Sequence, residues 1–92
     1  MSRVPNIIFI GKKPIPTYVN ATLTQLSTEP TVTIKARGKS ITTAVDVSQM
    51  IVKRLNAVGY KVTRVKIFSE RLTSQDGKER NVSTIEIDVS KP

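Results

Sequence analysis

TVTIKARGKSITTAVDVSQMIVKRLNAVG, Thr31 to Gly59, changes its hydrophobic period partway along, and the change sets the architecture. Up to Arg37 the residues alternate strictly. Val32, Ile34 and Ala36 share one side and Thr31, Thr33, Lys35 and Arg37 the other, the pattern of a strand with one covered face. From Ile41 the apolar positions fall instead at Ile41, Ala44, Val45, Ser48, Ile51, Val52 and Leu55, a broad helical stripe. Ser40 stands where a helix cap belongs and Gly59 where a helix stops.

Towards the carboxyl end the chain reads as a long hairpin, and parity sets its turn. Val65, Ile67, Ile85, Ile87 and Val89 must share a face, and all are odd-numbered. A two-residue Asp76-Gly77 turn would pair odd with even positions and split them. A three-residue Gln75-Asp76-Gly77 loop pairs Ser74 with Lys78, Ile67 with Ile85 and Val65 with Ile87, with Gly77 at a left-handed bulge position. Phe68, Leu72 and Val82 then emerge on the reverse of the ribbon, where a second subunit is expected to cover part of them. At ~3.3 Å per residue the arm from Ser69 to Asp76 reaches roughly 20 Å beyond the core.

Towards the amino end, Asn6 to Ile10 is a continuous apolar run, expected as a strand buried on both faces. Ile15, Tyr18, Val19, Thr22, Leu23 and Leu26 then predict a helix, with Pro16 in its first turn and an end before Pro30. The order βαβαββ places the chain in the α/β class as an α+β two-layer sandwich, both helices on one face of the sheet. Residues 1–92 are read as one domain.

Fifteen Lys and Arg against seven Asp and Glu give a net charge of +8, which points to polyanionic partners. The excess is concentrated: Met1 to Lys39 holds six basic residues against Glu29 alone. Cysteine and histidine are both absent, so disulfides, thiolate metal sites and cysteine nucleophiles are excluded, and no metal or other cofactor is expected. No run is long enough to span a membrane, and the expectation is a soluble cytoplasmic protein with no membrane partner. "RGKS" at Arg37 to Ser40 ends like a phosphate-binding loop, but that motif needs a glycine where Thr33 stands. No acid and base pair is visible among Asp46, Asp76, Glu79, Glu86 and Asp88, so no enzyme is expected.

Two basic features stand out. Lys12 and Lys13 lie between Gly11 and two prolines, and the prolines stiffen the connection, so two cations are held at low entropic cost. Arg71, Lys78 and Arg80 line the hairpin arm, and two-stranded ribbons are one way into a DNA groove. With few aromatic residues, backbone phosphates are the more natural target than unpaired bases.

The blocks "NIIFIGKKP", "VTIKARGKSITTAVD" and "TSQDGKERNVSTIEI" together resemble the Alba family of small archaeal chromatin proteins, over nearly the whole chain. The resemblance implies a fold like the carboxyl-terminal domain of bacterial translation initiation factor 3. It also implies a homodimer that binds double-stranded DNA, and often RNA, with little sequence preference, and it leaves room for a heterodimer with a paralogue. In that family the loop lysines contact nucleic acid near the dimer centre and one of them can be acetylated, which weakens binding. Here that implies Lys12 and Lys13, with an acetyltransferase and a deacetylase as further partners and a chromosome-associated location. By the same resemblance Arg37, with Lys35 and Lys39 around it, contacts nucleic acid on the body, and Arg71, Lys78 and Arg80 reach the minor groove. Leu55 stands where many members carry a phenylalanine that packs neighbouring dimers, which leaves open coating or bridging of DNA. Asp46 also matches the family and is read as structural.

Overall fold

The computed structural model describes residues 6–91. Strand β1 (Ile7–Phe9) leads into helix α1 (Ile15–Leu26), strand β2 (Thr31–Arg37) and helix α2 (Ile41–Arg54), and strands β3 (Lys61–Thr73) and β4 (Glu79–Ser90) form the closing hairpin. The sheet order is β1-β2-β4-β3, with β1 parallel to β2 and the other neighbours antiparallel. Both helices lie on one face of the sheet. Val32, Ile34 and Ala36 of β2 and Ile85, Ile87 and Val89 of β4 meet Val19 and Leu26 of α1 and Ala44, Val47 and Ile51 of α2 in one core. Val32, Ile34, Val47, Ile51 and Val89 are sealed from solvent. Each such side chain contributes about 1.5–3 kcal/mol of burial.

The expected hairpin register is present: Ile67 faces Ile85 and Val65 faces Ile87. The amide of Ser74 donates to the carbonyl of Lys78 at 2.9 Å, and Gly77 takes a φ of 82°, which a side chain tolerates poorly. α1 begins and ends as the prolines indicate, with Pro14 at its cap and Pro16 in the first turn.

Five expectations are corrected. β1 is not buried on both faces: it is an edge strand paired only with β2, so Ile8 is buried while Phe9 is 56% exposed on the sheet face without helices. α2 is turned slightly from the expected stripe, burying Val47 and leaving Val45 exposed. Ser40 occupies the cap position of α2 without a capping hydrogen bond, because a 3-10 turn, Gly38–Ser40, precedes the helix. Gly59 (φ 98°) ends a second such turn, Asn56–Val58, rather than α2 itself. Finally, the reverse of the ribbon is not its bare side. Phe68, Leu72 and Val82 are half-buried within the chain, whereas Val65 and Ile67, on the helix side, are 56% and 76% exposed. β3 is the outer strand, and neither helix covers that stretch.

Candidate nucleic-acid interface

The topology sends three basic segments to one end of the sheet. β1 and β2 run parallel, so the β1–α1 loop with Lys12 and Lys13 and the β2–α2 turn with Arg37 and Lys39 leave from neighbouring carboxyl ends. β4 runs against β2, with Arg37 opposite Thr84, so residues 79–83 and the whole tip project past that same end. The ladder continues from Phe68–Thr84 to Thr73–Glu79, carrying Arg71 and Arg80 on the arm and Lys78 at its tip. The arm contributes to overall extents of 47 × 31 × 21 Å. Both helices start at this end, and neither has an acidic residue in its first turn nor a side-chain cap, so their amide dipoles add to the positive field.

Tyr18 fixes the lysine loop. Its buried hydroxyl accepts hydrogen bonds from the backbone amides of Gly11 (2.8 Å) and Lys13 (2.9 Å), closing the loop over the first turn of α1. A Cβ on Gly11 would lie 3.3 Å from that hydroxyl, which accounts for glycine at the approach. Lys12 and Lys13 themselves are exposed.

The face without helices carries a network of charge. Arg37 Nε donates to Glu70 Oε1 at 2.8 Å, and Thr84 donates to the same oxygen at 2.9 Å. Lys35 Nζ lies 3.4 Å from Glu86 and 4.0 Å from Glu70, between the rings of Phe9 and Phe68 at 5.6 and 5.7 Å. Arg64 binds Asp88 at 2.8 Å and approaches Glu86 at 3.5 Å, and Thr33 donates to Asp88 at 2.7 Å. The hydrogen bonds from Arg37 and then Thr84 hold the Glu70 carboxyl below its ordinary range, and the Glu70 bond raises Arg37.

The expected site residues therefore divide. Among the described residues Lys12, Lys13, Lys39, Lys78 and Arg80 are exposed and form no ion pair. Lys35 and Arg37 already serve carboxylates, and Arg71 lies 3.3 Å from Glu79 across the arm. At the tip, Asp76 accepts from Ser74 and from the Lys78 amide, which depress its pKa. Asp46 is exposed on α2, and its side chain makes no hydrogen bond or ion pair among the described residues, so no structural role is visible for it. Leu55 is half-buried against the core at the end of α2. Sequence reasoning missed Tyr18 and Glu70. A tyrosine at a core position shortly after a Gly-Lys-Lys loop was the available signal for the first, and none marked the second.

A four-stranded sheet backed by two helices, with unpaired cations on the loops and arm at one end, defines a small basic α+β protein. A family profile described as Alba matches residues 6–69. The chain is 57% identical over 84 residues to the DNA/RNA-binding protein Alba of Nitrosopumilus maritimus, covering 91% of this chain and 88% of that one. It is 41% identical over 88 residues to the protein of that name from Methanocella arvoryzae, covering 95% and 91%. Its fold matches Alba from Thermoplasma volcanium with a TM-score of 0.83 at 40% identity over 94% of this chain and all of that one. ALBA1 from Trypanosoma brucei matches with a TM-score of 0.73 at 27% identity, over 98% and 72%. The chain belongs to the Alba family.

Proposed function

We propose that residues 1–92 form one domain that binds nucleic acid duplexes through their phosphates, with little regard to sequence, as a chromosome-associated architectural protein. The observation that carries this is the arrival of the Lys12-Lys13 loop, the Arg37–Lys39 turn and the Arg71–Arg80 arm at one end of the sheet. Cations spread along an extended arm and two loops suit a repeating line of phosphates better than a small anion. Double-stranded DNA is one such duplex. The relatives named DNA/RNA-binding extend the reading to RNA.

The working unit is a homodimer, with a heterodimer as its variant where a paralogue is present. Support comes from the uncovered Val65 and Ile67 beside a hollow of about 370 Å³ lined by Ile41, Ile67, Phe68 and Ile85 together with Ser69, Ser83 and Thr84, a largely apolar surface for a second copy to cover. Acetylation of Lys12 or Lys13 removes a charge from the loop without touching the core, which makes the loop the natural control point.

Titration of two duplexes of unrelated sequence over a range of salt tests the function. Log K is expected to fall linearly with log salt, at about 0.9 per phosphate neutralised, equally for both. A preference above about a hundredfold for one duplex, as truly specific binders show, contradicts it.

A further inference from the structure

Arg37 and Glu70 are far apart in sequence yet joined in the fold, and their bond lies at the edge of the basic end. Arg37 Nε donates to Glu70 Oε1 at 2.8 Å, and the guanidinium rests 5.7 Å from the Phe9 ring. The Arg37 side chain is 38% exposed, against 26% for Glu70. Glu70 is held in place by Thr84 at 2.9 Å and lies 4.0 Å from Lys35. The carboxylate is thus a fixed anion already hydrogen-bonded to an arginine at the edge of the basic end. Its charge persists, because the bonds from Arg37 and Thr84 keep it ionised below the ordinary carboxylate range.

We propose that Glu70 is an internal competitor for nucleic-acid phosphate: Arg37 exchanges the Glu70 carboxylate for a backbone phosphate when duplex binds, and Glu70 thereby sets the affinity of the basic end. The proposal rests on the nucleic-acid reading above. The pair is half-buried at the protein surface, within reach of solvent and of a docking strand, and a phosphate accepts two parallel bonds along one edge of a guanidinium. Each exchange moves the Arg37 charge from one anion to another rather than neutralising a phosphate for nothing, so Arg37 adds less to affinity than Lys12 or Lys13. Lys35, enclosed by Glu70, Glu86 and two rings, stays in the protein.

A double-mutant cycle tests exchange. Glu70→Gln keeps the shape and an acceptor oxygen for Thr84 and Arg37 but removes the charge. Duplex binding by Glu70→Gln is expected to be about three- to tenfold tighter at low salt. Arg37→Ala should then weaken binding several-fold more in the Glu70→Gln background than in the native chain, because only there can the arginine take up phosphate without giving up a charged partner. Two charges acting independently on the phosphate would give additive effects, and additivity, or unchanged or weaker binding by Glu70→Gln, overturns the proposal. Should Glu70→Gln lower the melting temperature enough to cloud the comparison, the native chain gives the answer. The Arg37 Nε–H resonance must shift when duplex is added, and an unmoved resonance at saturation overturns exchange. Lys12→Ala with Lys13→Ala separates the two failures. If that variant binds weakly while the cycle is additive, only the role of Glu70 falls. If it binds as the native chain does, the basic end is not the interface and both readings fall.

Discussion

Replacing Tyr18 with Phe removes one oxygen and leaves the ring, so the change isolates how far the lysine loop depends on being tied down. That oxygen accepts from the Gly11 amide at 2.8 Å and the Lys13 amide at 2.9 Å, and the ring stays in the core in either form. Two hydrogen bonds removed at about 0.5–1.5 kcal/mol each give a cost of about 1–2 kcal/mol, kept to the lower half because the exposed loop lets water reach the orphaned amides. For a chain of this size that lowers the melting temperature by about 5–12 °C. A second effect falls on binding. The native loop holds its two lysines in place beforehand, and ordering it at the moment of binding costs about 1 kcal/mol, or about fivefold in affinity. Thermal melts, salt titrations with duplex, and amide exchange at Gly11 and Lys13 read the three consequences separately. A Tyr18→Phe protein that melts, binds and exchanges those amides as the native protein does would refute the reasoning.

Ile67→Lys places a charge on the bare apolar position of β3, and sedimentation at micromolar concentration is expected to show monomer in place of dimer; an unchanged dimer puts the interface elsewhere. Lys12→Gln and Lys13→Gln, as mimics of acetylation, should each weaken duplex binding at moderate salt without lowering the melting temperature, and Lys91→Gln should do much less. If neither loop variant binds more weakly than Lys91→Gln, the loop is only a solvated turn. Glu70 and Asp76 both titrate below their ordinary values of 4.5 and 3.8, so their contribution to stability is full above those values and is lost as pH falls through the depressed ones. Acid unfolding followed by circular dichroism should therefore flatten in Glu70→Gln, and an unchanged acid limb would show that the Arg37 bond adds nothing to the fold.

What was legible in the sequence follows from which interactions are periodic. The hairpin register came from parity, since a period of two rejects the two-residue turn, and the three-residue loop keeps Ile67 beside Ile85 and Val65 beside Ile87. The bounds of α1 came from prolines acting on the local backbone. Phe9 was misread because an apolar run looks the same in an edge strand and a central one, and only the sheet order separates them. The uncovered side of the ribbon was misplaced for the same reason: alternation says which residues share a face, but not which face the helices reach. The Arg37–Glu70 pair spans 33 residues and follows from the meeting of β2 with the hairpin, which no local pattern announces. The cations of the site were legible by type and spacing. Their division into unpaired lysines and arginines held by carboxylates was not, because pairing depends on cross-strand register.

Amide and side-chain chemical-shift mapping of the native protein, titrated with a short mixed-sequence duplex, tests most directly whether one end of the sheet is the interface. The expected result is perturbation concentrated at Gly11–Lys13, Arg37–Lys39 and Ser74–Arg80, with little change near Asn56–Tyr60 at the opposite end. Perturbation centred on Asn56–Tyr60 or on the outer face of α1, with those three segments unmoved, would contradict it.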